Sequence, residues 1–204
     1  PKTLPASLAP VMIGTAMAYR PGHFNWLILV LILAATILIQ IGTNLANDYY
    51  DFLKGTDNAD RLGPTRATQA GLVTPGQMKA AFIIAFALAA ICGIYLVYKG
   101  GLPILIIGTV SLLLGVLYTA GPFPLAYTGL SDIFVLIFFG PVATAGTYYL
   151  LAGNFAAVSI IAGLAPGLFS TAILTVNNFR DIETDAAAGR KTLAVRFGPH
   201  FAKS

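Results

Sequence analysis

Six apolar stretches dominate the sequence and restrict its fold more than any other feature. They run approximately Leu4–Tyr19, Trp26–Ala46, Met78–Tyr98, Leu102–Tyr118, Leu130–Leu151 and Phe155–Val176. A helix rises about 1.5 Å per residue, so ~17–25 residues cross the ~30 Å of bilayer hydrocarbon. The first stretch is short for that task and the other five are long enough. In lipid a helix satisfies its own backbone groups, which predicts an all-α, polytopic transmembrane helix bundle with six spans. Composition agrees, because 57% of residues are hydrophobic and 10% charged, whereas soluble domains carry about 25% charged residues. Glycine and proline mark the joins at Pro21-Gly22, Gly100-Gly101, Gly121-Pro122 and Gly153-Asn154. Pro141 and Pro166 fall inside spans and predict kinks. Cys92 sits in an apolar run and reads as a packed thiol. The chain opens on Pro1 without a signal-peptide pattern, so its start is expected to be trimmed, and so is its end at Ser204.

Charge orders the spans. With six of them, the N-terminus and the joins after the second, fourth and sixth share one side. That side holds every Lys and Arg except Arg20 and Lys99. Short loops rich in Lys and Arg stay cytoplasmic, which predicts a multi-pass protein of the cytoplasmic (inner) membrane with this face inward. The net charge of +4 is spread thinly between apolar spans. It suits lipid headgroups and an anionic substrate, not nucleic acid.

The acids are still more asymmetric. Asp48, Asp51, Asp57 and Asp60 follow the second span, and Asp181, Glu183 and Asp185 follow the sixth. Asp132, at the start of the fifth, is on the same side. Acids at the hydrocarbon edge are expensive and therefore usually functional. If the second span continues as helix, Asn47 and Asp51 are four residues apart and Asp48 and Asp51 three; Asp181 and Asp185 repeat the spacing, with Asn178 one turn earlier. Such offsets place oxygen ligands on one helical face. Oxygen ligands without His or Cys suit Mg²⁺, which takes one or two carboxylates plus substrate phosphates. Two facing clusters could hold two ions around one diphosphate, with Lys54, Arg66, Arg180 and Lys191 reaching phosphate oxygens. Solvated loop ion pairs are the plainer reading. An ion-coupled transporter is the rival from another class, although its acids should sit near the midplane.

At these residues the sequence resembles the UbiA superfamily of intramembrane prenyltransferases. Asn47-Asp-Tyr-Tyr-Asp-Phe-Leu-Lys-Gly-Thr-Asp57 is similar to its first Asp-rich motif. Asn178-Phe-Arg-Asp-Ile-Glu-Thr-Asp185, with Gly189-Arg-Lys-Thr-Leu193, is similar to the second. Gly63-Pro-Thr-Arg66, Leu117-Tyr-Thr-Ala-Gly-Pro122 and Tyr127-Thr-Gly-Leu-Ser-Asp132 resemble the MenA-type branch, the 1,4-dihydroxy-2-naphthoate polyprenyltransferases. In other branches the third acid of the first motif often stands four residues after the second; here that position is Gly55 and the acid is Asp57.

The resemblance implies transfer of a polyprenyl group from its diphosphate to an aromatic acid, with loss of diphosphate and carbon dioxide, in menaquinone formation. It implies Mg²⁺, two ions bridging the diphosphate, held by Asn47, Asp48, Asp51, Asp57, Asp181 and Asp185. Diphosphate contacts are expected from Asn44, Asn47, Lys54, Arg66, Asn178, Arg180 and Lys191, with Asp51, Asp181, Lys54 and Arg180 in the catalytic roles. Asn44 serves equally as an amide bonding a neighbouring helix. Tyr118 and Tyr149 are candidates to line the acceptor pocket, or to pack. A 4-hydroxybenzoate or tetrapyrrole acceptor is the alternative within the family. The family's nine-helix bundle implies a single domain over residues 1–204, truncated at its C-terminus.

Overall fold

The computed structural model describes residues 3–55, 66–122 and 124–203, and the regular elements among them are all helices. Asp57 lies outside the described residues. The helices are α1 (Leu4–Ala18), α2 (Trp26–Leu53), α3 (Pro75–Leu117), α4 (Leu125–Thr128), α5 (Ser131–Ile137), α6 (Ala143–Ala152), α7 (Ala157–Arg180), α8 (Ile182–Ala187) and α9 (Leu193–Lys203). A π turn, Phe138–Val142, joins α5 to α6. Four segments are long and apolar enough to cross a membrane: α2, α3, Ser131–Ala152 and α7. α1 is apolar but shorter.

Local sequence explains where these helices begin and end. The Asn25 side chain accepts the Ile28 N–H at 3.1 Å and starts α2. Thr74 and Gln77 form a reciprocal capping box, with Pro75 in the first turn of α3. α3 is 43 residues long and would reach about 65 Å if straight. It does not stay straight, because Gly101 has φ 64° and ψ −152°, a left-handed backbone that glycine tolerates. The Phe86 ring packs against both Gly42 and Gly115, which brings the two halves of α3 to the same level beside α2. α3 therefore turns back at Gly101 and makes two passes, as the Gly100-Gly101 join predicts.

The fifth span is interrupted. Gly140 is non-helical at φ −129° and ψ −108°, and Pro141 follows it. The kink expected of Pro141 is thus present, whereas α7 runs helical through Pro166. At this break α7 comes very close: a Cβ on Gly163 would lie 2.6 Å from Pro141 Cα. Backbones approach this closely only over glycine, as in helix pairs that associate within lipid. Ile94, Leu102, Phe169 and Val176 are largely exposed, as lipid-facing side chains should be.

Successive passes alternate in direction. One end of the bundle gathers Tyr19, Phe24, Trp26, Lys99 and Tyr149. There Tyr19–Phe24 and Phe24–Trp26 ring pairs lie 5.3 and 4.8 Å apart, the composition of an interfacial belt. Val11, Ile28, Ile32, Leu96 and Ile104 form the buried apolar cluster towards this end. The opposite end collects the ends of α2, α3 and α7 with α4, α8 and the start of α9, and it carries the acids of the described residues.

Candidate active site

α2 is 28 residues long, about 42 Å of helix, so its last turns outrun the hydrocarbon and carry the first acidic segment beyond it. Asp51 is 2% exposed. Its Oδ1 lies 2.8 Å from a terminal nitrogen of Arg190, and its Oδ2 lies 3.5 Å from Arg66. The other terminal nitrogen of Arg190 is 3.6 Å from Asp185 Oδ1. One guanidinium thus joins the two acidic segments that the sequence places far apart. Arg190 reaches this position because α8 ends in a turn at Gly189, φ 72°, where the Arg190 N–H donates to the Asp185 carbonyl at 2.9 Å.

Sequence reasoning passed over Arg190 and named its neighbour Lys191. The Lys191 side chain is exposed, and its backbone N–H donates to the Tyr127 carbonyl at 3.1 Å. Arg180 likewise turns to its own neighbour, donating to both oxygens of Asp181 at 2.7 and 2.5 Å. Lys54 does point into the site. Its ammonium donates to the Thr119 carbonyl at 2.5 Å and stands 4.6 Å from the centre of the Tyr127 ring. Arg190 lies 5.0 Å from the same ring centre. Tyr127 is therefore a platform for two cations. It belongs to a quoted motif, but nothing local in the sequence singles it out.

Electrostatics follow the geometry. Burial lowers the pKa of Lys54; Asp51 opposes the shift and Arg190 adds to it. Burial also works against the charge on Arg190, but Asp51, Tyr127 and Asp185 outweigh it and hold its pKa above the ordinary value.

The remaining members of the acidic segments diverge from the single-face expectation. Asp48 is buried and accepts the backbone N–H groups of Ala67 and Thr68, at 3.0 and 3.2 Å. Asn47 accepts a hydrogen bond from the Thr119 hydroxyl. In the second segment α7 ends at Arg180, and Asp181 leaves helical geometry at ψ 15°. The Asp185 N–H still donates to the Asp181 carbonyl at 2.7 Å, so the four-residue offset survives in the backbone. The two side chains nevertheless find different partners, Arg180 for one and Arg190 for the other.

A cavity of about 360 Å³ opens beside these groups, lined by Asn44, Asn47, Tyr118 and Asn177 among apolar side chains. Asn177 takes the place expected of Asn178, which does not line it. Asn44 and Gln40 both donate to the Thr3 hydroxyl, at 3.0 and 2.9 Å, so Asn44 does bond a neighbouring segment while facing the cavity. A second, apolar cavity of about 410 Å³ shares Thr36, Ile39, Ser111, Phe138 and Ala143 with the first and continues towards the far end. Tyr118 lines the polar cavity. Tyr149 does not; its hydroxyl donates to the Gly100 carbonyl at 3.2 Å at the opposite end, because the fifth span carries it away from the acids.

The donor set is made of oxygen. Among the described residues no three His, Cys, Asp or Glu side chains form a ready-made metal cage. Oxygen donors fit Mg²⁺, which keeps several waters and takes one or two carboxylates alongside substrate phosphates, whereas zinc favours nitrogen and sulfur.

Comparison with known proteins agrees with this layout. Residues 7–204 match the UbiA prenyltransferase family model. The 1,4-dihydroxy-2-naphthoate octaprenyltransferase of Escherichia coli (strain K12) is 43% identical over 204 residues, covering 97% of this chain and 66% of that protein. The enzyme of the same name from Haemophilus influenzae is 39% identical, covering 98% of this chain and 68% of its own length. The chain thus spans about two thirds of the curated relatives it matches. A solved UbiA homologue from Archaeoglobus fulgidus, bound to DMAPP and Mg²⁺, superposes with a TM-score of 0.70 at 18% identity, over 98% of this chain and 68% of that one. By sequence over nearly its whole length and by fold, this chain belongs to the UbiA prenyltransferase family.

Proposed function

We propose that the chain transfers a polyprenyl group from polyprenyl diphosphate to 1,4-dihydroxy-2-naphthoate inside the bilayer, releasing diphosphate and carbon dioxide. The observation that carries this reading is the junction of both acidic segments on Arg190, together with an amide-lined cavity, reached by Asn47 of the first segment, that continues into an apolar one. The bacterial relatives carry the name of this activity.

Each part of the site has work to do. Asp51, Asp185 and Asp181, with Asn47 and Asp48 beside them, would hold the metal through oxygen. Bound there, Mg²⁺ (two ions in our reading) would neutralise the diphosphate and offset the charge that grows as its C–O bond breaks. Lys54, Arg66 and Arg190 stand where phosphate oxygens would meet them. The apolar cavity receives the prenyl tail and excludes water while the allylic cation exists. The ring acceptor takes the polar cavity, between Asn44, Asn47, Tyr118 and Asn177. The acid-bearing end faces the cytoplasm by its share of Lys and Arg.

An acceptor panel with one polyprenyl diphosphate, assayed with the full-length protein in nanodiscs, tests the reading. Product is expected from dihydroxynaphthoate. Turnover of 4-hydroxybenzoate alone would overturn the acceptor, and no turnover of any acceptor would overturn the reaction.

A further inference from the structure

Arg190 touches both acidic segments at once, through Asp51 and through Asp185. Its side chain is 17% exposed, with one terminal nitrogen on Asp51 and the other on Asp185. A buried donor without a partner is costly. Arg190 Nε is buried without a hydrogen-bond partner among the described residues. Two further contacts keep the neighbourhood intact if Arg190 moves. Arg66 reaches the other oxygen of Asp51, and the Tyr127 ring already flanks the guanidinium, 5.0 Å from its ring centre. The backbone of Arg190 is fixed by its bond to Asp185, so movement falls to the side chain.

From this geometry, and resting on the metal-diphosphate reading above, we propose that Arg190 is a resident counter-ion for the two acidic segments and a positioning residue for the substrate. Without metal its guanidinium holds Asp51 and Asp185 at one site against their mutual repulsion. When Mg²⁺ and diphosphate bind, Arg190 gives up its carboxylates and donates to phosphate oxygens. The exchange conserves charge pairing throughout: the acids pass from a guanidinium to the metal, and the guanidinium passes from the acids to the phosphate. The chain thereby favours the metal and the diphosphate together over the metal alone, because the metal alone must strip Arg190 from its partners and leave it unpaired.

This makes two predictions of opposite sign for one variant. In the full-length protein in detergent, Arg190→Gln should bind Mg²⁺ alone about tenfold more tightly than wild type, the size of an ordinary coupling between two sites. The same variant should bind Mg²⁺ with inorganic diphosphate more weakly. Both are read from the unfolding midpoint as MgCl₂ is titrated after chelation, with and without diphosphate. Arg190→Lys, which keeps the charge but cannot reach two carboxylates at once, should fall between the two and serves where the Gln variant does not fold. Weakening of both titrations would reduce Arg190 to a structural ion pair and overturn the proposal. Unchanged Mg²⁺ binding in both variants would overturn it as well, while leaving the metal site standing. No Mg²⁺ effect on any chain, wild type included, would overturn the metal reading and this role with it.

Discussion

Asp48 offers the sharpest division between a residue that holds metal and one that holds the protein. Both its oxygens accept backbone N–H groups, from Ala67 at 3.0 Å and Thr68 at 3.2 Å, and the side chain is buried. Hydrogen bonds to a charged acceptor are worth about 1.5–3 kcal/mol each. Taking the low end for both gives about 3 kcal/mol, more than a hundredfold in the folding equilibrium. Asp48→Ala should therefore unfold at lower denaturant, by that amount, even in metal-free buffer. Asp48→Asn keeps one acceptor oxygen but turns an amide NH₂ towards the second N–H, and should lose about half as much or more. Unfolding in mixed micelles, with chelator throughout, measures both. If Asp48→Ala matches wild type there and loses only its response to Mg²⁺, the anchoring argument is wrong and Asp48 acts as a metal ligand alone.

Other consequences can be checked separately. Asp181→Ala should abolish transfer while the protein stays folded in the membrane, because its side chain pairs with the exposed Arg180; near-normal turnover would remove Asp181 from the metal set. Gly163→Ala would drive a methyl to 2.6 Å from Pro141 Cα, and with backbone on the receiving side the cost should be about 1–3 kcal/mol or more; an unchanged unfolding midpoint would contradict this close approach. Lys54 has its pKa lowered by burial, so its positive charge is lost at lower pH than an ordinary lysine's as pH rises. Transfer should accordingly decline on the alkaline side, and Lys54→Arg should move that decline to higher pH; an unmoved alkaline limb would exclude Lys54 from charge stabilisation.

Much of the fold is legible in the sequence because hydrocarbon imposes a simple rule. Apolar length alone locates the passes, and Gly100-Gly101 marks where α3 reverses. The extension of α2 as far as Asp51 is also legible, since nothing between Ala46 and Leu53 breaks a helix. The partners of the site residues are not. The choice between Arg190 and Lys191 depends on the turn at Gly189, and the choice between Asn177 and Asn178 depends on a rotation of about 100° per residue around α7. Asp48 reads as a ligand, and no local pattern announces that it also anchors the backbone of Ala67 and Thr68. Tyr149 illustrates the reverse error: an aromatic residue in a span can lie at either end, and only chain direction decides which.

The reversal at Gly101 also bears on how the chain enters the bilayer. Its two arms are joined with no loop to speak of, so they can be inserted together as a hairpin whose tip alone has to cross. The only charge on that tip is Lys99, whose ammonium rests 5.6 and 5.3 Å from the ring centres of Tyr95 and Tyr98. Arg20 is the other basic residue at this end, and no acid accompanies either. A chain threaded from the acid-bearing side therefore carries almost no charge through the hydrocarbon. The groups that are hardest to translocate are the same ones the site needs, and in the orientation proposed above they never have to leave the side on which they are made.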